Sequence, residues 1–388
     1  MASKSSSKAD DLQLQEKATS SIGADAIAVE DKCFIYDTND LHFQFINWPP
    51  DAESFTQSKF DEILSEKWDI AMENGTFNYN LDEVRRRKIN GKYEFIAQLN
   101  SKRFKERRKP QEIDSVRQPF RKDKFNFTKV KENEILFKMK SAEYKTKESK
   151  KVEENLVIVN ISPIDYGHVL LVPDATALHS QALTYDAVKL SIDVCLLSTH
   201  RGLRIGFNSL CAFASVNHLH LHIIYVNYVL PIDKVSVSEI CNGLYEIADY
   251  AVHGFALQIE NRDIEKLARR VTAITSYLYE NEIAHNLFIC RQKALPLKNA
   301  QDNNDPEAES TVRVFIFPKL SAPGIKDTRY MNSCCYDLAG YLLLKDEEEF
   351  ESLNEVDVIE TLNKFCLRED EFADLRDAIS LLLLNLRL

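Results

Sequence analysis

Three of the chain's nine histidines alternate with aliphatic residues in one short segment, His218-Leu219-His220-Leu221-His222. Alternate side chains of a β-strand share a face, so this spacing predicts three imidazoles on one side and aliphatic residues in the core on the other. A neutral imidazole is a good nucleophile near pH 7, and its neighbours can donate hydrogen bonds to a phosphoryl group. The segment therefore predicts covalent catalysis, with His220 as the nucleophile flanked by His218 and His222.

Two other interpretations of the histidine segment stay open. It could be a polar strand face without chemistry, although three buried imidazoles would each need a hydrogen-bonding partner. It could also bind a metal ion, but His218 and His222 would lie about 13 Å apart on a strand. One ion could then use only two of the three histidines and would need further ligands elsewhere.

Composition limits the class of protein. The 388 residues, 44% hydrophobic and 28% charged, are enough for two globular domains, and the net charge of −11 does not favour a nucleic-acid partner. No apolar run reaches the 18 residues of a membrane span, and the polar N-terminal segment does not resemble a secretory signal. The eight scattered cysteines form no C-x-x-C pair, which favours reduced thiols and a cytoplasmic location.

Strand and helix patterns around the histidines predict an α+β unit built on an antiparallel sheet. Strand patterns precede and follow a helix pattern over 182–200, and together they cover residues 134–139, 156–161, 168–173, 204–208 and 218–226. In the second half, helix patterns over 237–248 and 262–281 precede strand patterns over 286–291 and 312–318. Polar loops are predicted at 145–154 and 298–310.

The loosely similar order of elements predicts two such units in tandem, of which only the first carries the histidines. We expect a disordered polar tail over residues 1–28, a catalytic domain over 29–235 and a second domain over 236–388 without the three histidines. The oligomeric state cannot be derived from these patterns.

The run NHLHLHII fits the pattern of the histidine-triad superfamily, and the segment VIVNISPIDYGHVLLVP at 157–173 resembles its first strand pair. The segment GFNSLCAFASVNHLHLH at 206–222 is similar to the signature of a narrower branch, the GDP-hexose phosphorylases. Patches similar to this branch recur over about residues 55–345, at 67–81, 97–113, 118–130, 312–319 and 335–345.

This resemblance implies a histidine-triad fold and a guanylyl transfer in two steps. His220 would take GMP from a GDP-hexose, expected to be GDP-glucose, and release the hexose 1-phosphate. Inorganic phosphate would then accept the GMP and leave as GDP. The family requires no metal or other cofactor, and its partners are these small molecules rather than nucleic acid or a membrane. A hydrolase that uses water as acceptor, and a non-catalytic nucleotide- or metal-binding protein, are the alternatives.

Further site residues follow from the resemblance or from their position. The resemblance places Asn160 at the nucleoside, His168 behind the triad, and both Asn208 and Ser215 at the α-phosphate. Position in the chain alone suggests four polar or basic residues near the diphosphate, although a charged run is usually a solvated face. They are Arg107, Arg108, Asn126 and Lys129.

Two departures from the superfamily pattern bear on the acceptor. Phe213-Ala214 occupies the place of the Gly-Gln pair of simple histidine-triad hydrolases, which favours a transferase. His222 occupies the place of a glutamine in hexose-phosphate uridylyltransferases. The choice between phosphate and water as acceptor is therefore open at the level of sequence.

Overall fold

The computed structural model describes residues 33–44, 56–143, 154–295, 310–326 and 331–386. The predicted tail over 1–28 and nearly all of the predicted loops at 145–154 and 298–310 lie outside the described residues. The strands are β1 (Cys33–Tyr36), β2 (Arg85–Lys88), β3 (Ile96–Leu99), β4 (Glu112–Ile113), β5 (Ile135–Ser141), β6 (Asn155–Val159), β7 (Val169–Val172), β8 (Leu203–Asn208), β9 (Leu221–Tyr225), β10 (Ser236–Cys241), β11 (Leu244–Ala248), β12 (Phe255–Gln258), β13 (Ala284–Lys293), β14 (Ser310–Lys319), β15 (Gly324–Ile325) and β16 (Tyr341–Leu344). The helices are α1 (Lys59–Glu73), α2 (Lys102–Glu106), α3 (Tyr185–Leu197), α4 (Ile264–Glu280), α5 (Cys335–Leu338), α6 (Glu347–Ser352), α7 (Glu355–Asn363) and α8 (Glu369–Asn385).

One mixed sheet of eleven strands dominates the structure, in the order β1-β5-β6-β7-β9-β8-β13-β14-β12-β11-β10. Every neighbouring pair in it is antiparallel except β1 and β5. The prediction of an α+β fold built on antiparallel strands is confirmed. No helix among the described residues is long and apolar enough to cross a membrane.

The two halves of this sheet repeat one topology. In the first half the spatial order is β5-β6-β7-β9-β8, with α3 between β7 and β8 in the chain. Read from its outer edge, the second half runs β10-β11-β12-β14-β13, with α4 between β12 and β13. The halves join where β8 pairs with β13, and Asn208 lies opposite Asn286. The sheet therefore consists of two units of the same kind in tandem.

The predicted helix over 237–248 is wrong, because this segment forms the hairpin of β10 and β11. The two residues at its tip, Asn242 and Gly243, have φ angles of +43° and +72°. An Asn-Gly pair with two positive φ angles is the preferred two-residue turn of a hairpin. The apolar residues of this segment also suit a half-buried strand, so the turn dipeptide was the signal that the helix prediction overlooked.

The two faces of the sheet are covered differently. Leu219, Leu221 and Ile223 belong to the core between the sheet and helices α1, α3, α4 and α8. Ile224, on the opposite face of β9, belongs to the core that includes the buried residues of α5 to α7. Alternation along the chain therefore directs His220 and His222 to this second face. On the corresponding strand of the second unit, β14, Phe315 and Phe317 occupy that face.

Short strands of the first half pair with strands of the second. β3 lies between β2 and β16, pairing in parallel with β16, and β4 pairs antiparallel with β15. The segment between β3 and β4 contains the predicted basic residues Arg107 and Arg108. These pairings anchor that basic segment at both ends against residues of the second half.

Candidate active site

A pocket that opens to solvent lies in front of the histidine segment. Its wall combines the segment that follows β3, the histidines before and within β9, and residues of α5 and on either side of it. The lining residues are Arg103, Arg107, Arg108, Lys109, Phe127, Asn160, Ile161, Ser162, Ile164, Leu170, Asn208, Phe213, Ser215, Val216, His220, His222, Lys326, Cys334, Tyr336 and Leu343.

The ring of His220 is held in one tautomer. Its Nδ1 lies 2.7 Å from the backbone oxygen of His218 and 3.0 Å from Oε1 of Gln181. Both neighbours are hydrogen-bond acceptors, so Nδ1 must carry the proton. The other nitrogen, Nε2, then keeps its lone pair, and His220 lines the pocket. This is the arrangement that a histidine nucleophile requires.

Gln181 is a site residue that the sequence did not suggest. Its Oε1 also accepts a hydrogen bond of 2.9 Å from the backbone nitrogen of His220. Its Nε2 donates to the backbone oxygens of Asn208 and His220, at 2.9 and 3.0 Å. The side chain of Gln181 is only 1% exposed. Its two donated and two accepted hydrogen bonds fix the orientation of the amide. Gln181 therefore holds both the backbone and the ring of His220.

His222 is oriented by His168 through a short relay. The backbone nitrogen of Ile164 donates to Nδ1 of His168 at 2.8 Å, so the proton of the neutral His168 ring lies on Nε2. That Nε2 donates to Nδ1 of His222 at 3.1 Å. The remaining proton of a neutral His222 therefore lies on Nε2, and His222 lines the pocket. His222 can donate a hydrogen bond to a ligand, whereas His220 presents a lone pair.

His218 has a different environment from the other two histidines of the segment. Its Nδ1 accepts a 3.0 Å hydrogen bond from the backbone nitrogen of Phe127, and the two rings stack with centroids 5.5 Å apart. It is not among the pocket-lining residues. Of the three predicted catalytic histidines, the structure brings two to the pocket and leaves His218 behind them, where its backbone oxygen binds His220.

Burial keeps the triad neutral. It lowers the pKa values of His218 and His220 to about 4, against hydrogen bonds to backbone groups that act in the opposite direction. The pKa of His222 is lowered well below its usual value by burial first, and then by the nearby His220 and His168. A neutral His220 at pH 7 has the lone pair that attack on phosphorus needs.

Three other predicted residues lie at the pocket with defined contacts. Asn208 accepts hydrogen bonds at Oδ1 from Nδ2 of Asn286 and from the backbone nitrogen of Cys335, at 2.7 and 2.9 Å. Its amide nitrogen is therefore the group that can face a ligand. Arg107 donates to Oγ of Ser215 at 2.9 Å, which joins two predicted residues into one polar pair.

Asn160 and Arg108 are also brought to the pocket. Asn160 accepts from the backbone nitrogen of Ser162 at 3.1 Å, and its amide nitrogen lies 3.2 Å from Nε2 of His168. The guanidinium of Arg108 lies 3.6 Å from the ring centre of Phe125. Asn160 therefore belongs to the side of the pocket next to His222.

Asn126 and Lys129 are not among the pocket-lining residues. Asn126 is 1% exposed and caps a short 3-10 helix, accepting at Oδ1 from the backbone nitrogen and the hydroxyl of Thr128. Nζ of Lys129 donates to three backbone oxygens between residues 122 and 124. Their side chains hold the local chain in place and lie outside the pocket lining.

The pocket is cationic although the protein is acidic. Five basic side chains line it, and no carboxylate side chain is found among the described residues of the lining. Burial lowers the pKa of Arg107 to about 10, which leaves the guanidinium charged at pH 7. Arg103 and Lys109 belong to the same basic run as Arg107 and Arg108, whereas Lys326 comes from the distant second half and was not predicted. Such a surface attracts a polyanion such as a nucleoside diphosphate.

Among the described residues, no three histidine, cysteine, aspartate or glutamate side chains are grouped so that they could share one metal ion. In the histidine segment, the two Nδ1 atoms of His218 and His220 are engaged with protein partners.

The doubled α+β unit and the tautomer-fixed histidine in a cationic pocket define a nucleotide-binding protein of the histidine-triad class. The fold is similar to that of the solved yeast Ap4A phosphorylase Apa2 in complex with Ap4A, with a TM-score of 0.54 and 14% identity. That match covers 81% of this chain and 99% of the yeast chain. At this identity the likeness concerns the fold alone.

Family models identify the chain more narrowly. The model of the GDPGP1-like N-terminal domain matches residues 59–224, and that of the GDPGP1-like C-terminal domain matches residues 229–385. The chain belongs to this GDPGP1-like family. The resemblance to GDP-hexose phosphorylases found in the sequence is thereby confirmed.

Curated relatives cover most of the chain. GDP-D-glucose phosphorylase 1 of Homo sapiens is 37% identical over 354 residues, covering 89% of this chain and 90% of the relative. Its counterpart in Danio rerio is 38% identical over 323 residues, 83% of this chain and 90% of the relative. GDP-L-galactose phosphorylase 2 of Arabidopsis thaliana is 29% identical over 344 residues, which cover 82% of this chain and 75% of the relative.

Proposed function

We propose that this chain is a GDP-D-glucose phosphorylase, which transfers GMP from GDP-glucose to inorganic phosphate through a guanylyl-histidine at His220. The observation that carries the proposal is the double acceptor contact at Nδ1 of His220, which leaves Nε2 unprotonated in a cationic pocket. Membership of the GDPGP1-like family supports the choice of a GDP-hexose as donor and of phosphate as acceptor.

The first step is an in-line displacement at the α-phosphorus. The lone pair on Nε2 of His220 forms a bond to phosphorus, and the bond from phosphorus to the bridging oxygen breaks. That oxygen keeps the electron pair, and glucose 1-phosphate leaves. The proton on Nε2 of His222 donates a hydrogen bond to the phosphoryl oxygens as their charge shifts, and the backbone oxygen of His218 stabilises the imidazolium character of His220.

The other polar residues of the pocket bind the donor. We assign the amide of Asn208 and the hydroxyl of Ser215 to the α-phosphate region, Arg107 to the diphosphate beside them, and Asn160 to the nucleoside. Arg108 contributes positive charge at the side of the pocket near Phe125. His168 acts through His222 by fixing its tautomer. No step of this mechanism uses a metal ion or an organic cofactor.

We further propose a cytoplasmic enzyme made of a catalytic domain over 29–235 and a second domain over 236–388. All eight cysteines are free thiols, which supports a reducing compartment. The repeated strand order on either side of the β8–β13 pair supports a boundary in the chain between β9, the last strand of the first unit, and β10, the first strand of the second.

The test is turnover of GDP-glucose by the purified protein, with and without inorganic phosphate and in the presence of a chelator. We expect phosphate-dependent formation of GDP and glucose 1-phosphate, and a protein mass increase of one GMP group when phosphate is omitted. His220→Asn should abolish both, whereas His253→Asn, a change at an exposed residue outside the pocket, should alter neither. Release of GMP at the same rate without phosphate would instead identify a hydrolase.

A further inference from the structure

The second unit contributes one positive charge, that of Lys326, to the pocket of the first. Lys326 lines the pocket, and its Nζ donates to Sγ of Cys334 at 2.8 Å and to the backbone oxygen of Phe213 at 3.3 Å. Within the described part of the chain, no carboxylate oxygen lies within 4.0 Å of Nζ of Lys326, the limit for a salt bridge. Its charge is therefore balanced by no ion pair in the pocket wall.

The carboxylate of Asp337, on which Lys326 acts electrostatically, is engaged by other groups. Asp337 accepts hydrogen bonds from the backbone nitrogens of Cys334 and Leu343, at 2.9 and 3.0 Å. Its carboxylate thus caps the start of α5 and ties that helix to β16. Burial raises the pKa of Asp337, in opposition to these hydrogen bonds and to the nearby Lys326. Asp337 supports the wall on which Lys326 lies and is not a pocket-lining residue.

Arg107 of the first unit and Lys326 of the second both line the pocket, and both act on the pKa of Lys345. Burial, followed by the positive charges of Lys326 and Arg107, lowers the pKa of Lys345 to about 7, while Asp337 and Glu349 act in the opposite direction. Positive charges crowded in a partly buried site cost free energy, and an anion placed among them removes that cost. This side of the pocket is therefore electrostatically prepared for a small anion.

We propose that Lys326 and Arg107 form the subsite that binds inorganic phosphate as the acceptor, an inference that rests on the proposed function. In an in-line transfer the acceptor approaches phosphorus along the path by which the leaving group departed. The same subsite therefore holds the β-phosphate of the donor in the first step and inorganic phosphate in the second. The second unit thereby determines which acceptor the first unit uses.

The second step balances without any further reactant. A lone pair on a phosphate oxygen forms a bond to the α-phosphorus of the guanylyl group. The bond from phosphorus to Nε2 of His220 breaks, and its electron pair returns to the nitrogen. GDP leaves and neutral His220 is regenerated. Water carries no charge, so Lys326 favours phosphate over water by binding the phosphate dianion.

The experiment compares two fates of the guanylyl-enzyme. GDP-glucose without phosphate loads His220, rapid desalting removes glucose 1-phosphate, and loss of the GMP group is then followed by mass spectrometry in buffer or in graded phosphate. For Lys326→Met we expect the half-saturating phosphate concentration to rise about 10- to 100-fold, as loss of a charged hydrogen bond implies. The rate of loss to water should be unchanged, and Lys326→Arg should restore most of the phosphate response.

A matched control is Lys364→Met, which removes one positive charge from an exposed position outside the pocket and should change neither rate. Equal slowing of the water and phosphate reactions by Lys326→Met would show a structural role and overturn the inference. An unchanged phosphate response would overturn it as well. A wild-type protein that forms no guanylyl-enzyme, or loses it at the same rate with or without phosphate, would refute the proposed function itself.

Discussion

Oε1 of Gln181 accepts two hydrogen bonds from His220, one from the backbone nitrogen at 2.9 Å and one from ring Nδ1 at 3.0 Å. A single buried amide thus sets both the position of the proposed nucleophile and the nitrogen on which its proton lies. Gln181 does not line the pocket, so it acts as a positioning residue through His220.

Gln181→Glu should move the acid limb of the pH profile of kcat to higher pH. Attack requires neutral His220, whose pKa burial lowers to about 4. A carboxylate beside Nδ1 stabilises the imidazolium, so the pKa of His220 should rise by about 1–3 units. A kcat–pH profile measures this shift. Gln57→Glu, at an exposed residue outside the pocket, should leave the limb in place, and an unmoved limb in Gln181→Glu would contradict the positioning role.

His168→Leu should lower kcat by about 100-fold, within the range for one positioned proton donor. Without His168, nothing holds the proton of His222 on Nε2, and the ring can present a lone pair to the phosphoryl oxygens instead. KM for GDP-glucose should change much less, because His168 is fully buried behind His222. Steady-state kinetics of His168→Leu, with His253→Leu as the control, would test this. A rise in KM without a fall in kcat would contradict it.

The free energy of unfolding should fall as pH decreases from 6.5 towards 4. Burial lowers the pKa values of His218, His220 and His285 to about 4, so these rings stay neutral in the folded state while the unfolded chain takes up protons below 6.5. Their contribution to the free energy of unfolding is complete above pH 6.5. Below pH 6.5 this contribution falls by at most about 4 kcal/mol per pH unit.

Urea unfolding at several pH values between 7.5 and 5 measures this slope above the range in which most carboxylates titrate. His285→Gln should reduce the slope by removing one of the three groups. His253→Gln, at an exposed position, serves as the control. A stability that does not change between pH 7 and 5 would show that the buried rings titrate normally.

Gly206→Ala should destabilise the protein by about 1–3 kcal/mol, as overpacking of a tight core does. A Cβ at this position of β8 would lie 2.4 Å from Sγ of Cys335. Adding Cys335→Ala removes that atom, so the double variant should recover much of the loss. Thermal unfolding of the single and double variants measures the coupling, and purely additive losses would contradict the proposed contact.

The histidine segment was informative at the sequence level because its alternation directly encodes which face each side chain takes. Leu219, Leu221 and Ile223 do lie in one core, and His220 and His222 do reach the pocket. Spacing could not separate His218 from the other two. That distinction depends on the backbone of Phe127, which lies 91 positions earlier in the chain.

The residues that sequence analysis missed lie far from the histidines along the chain. Gln181 is 39 positions before His220, in a segment with no recognisable motif. Lys326 reaches the pocket only because strands of the two halves pair beside it, and no local pattern reports such pairing. The hairpin at Asn242-Gly243 is a different case, because its turn dipeptide was visible in the sequence and was outweighed by the apolar residues around it.

The joining of two unlike units through β8 and β13 bears on how many GMP groups one chain can carry. Each unit uses this strand to bind the other unit, so neither strand offers a free edge to a second chain. The strand that corresponds to β9 in the second unit presents Phe315 and Phe317 in place of histidines. Whatever its oligomeric state, each polypeptide should therefore take up one GMP equivalent at saturation, and the burst amplitude of product should equal the chain concentration.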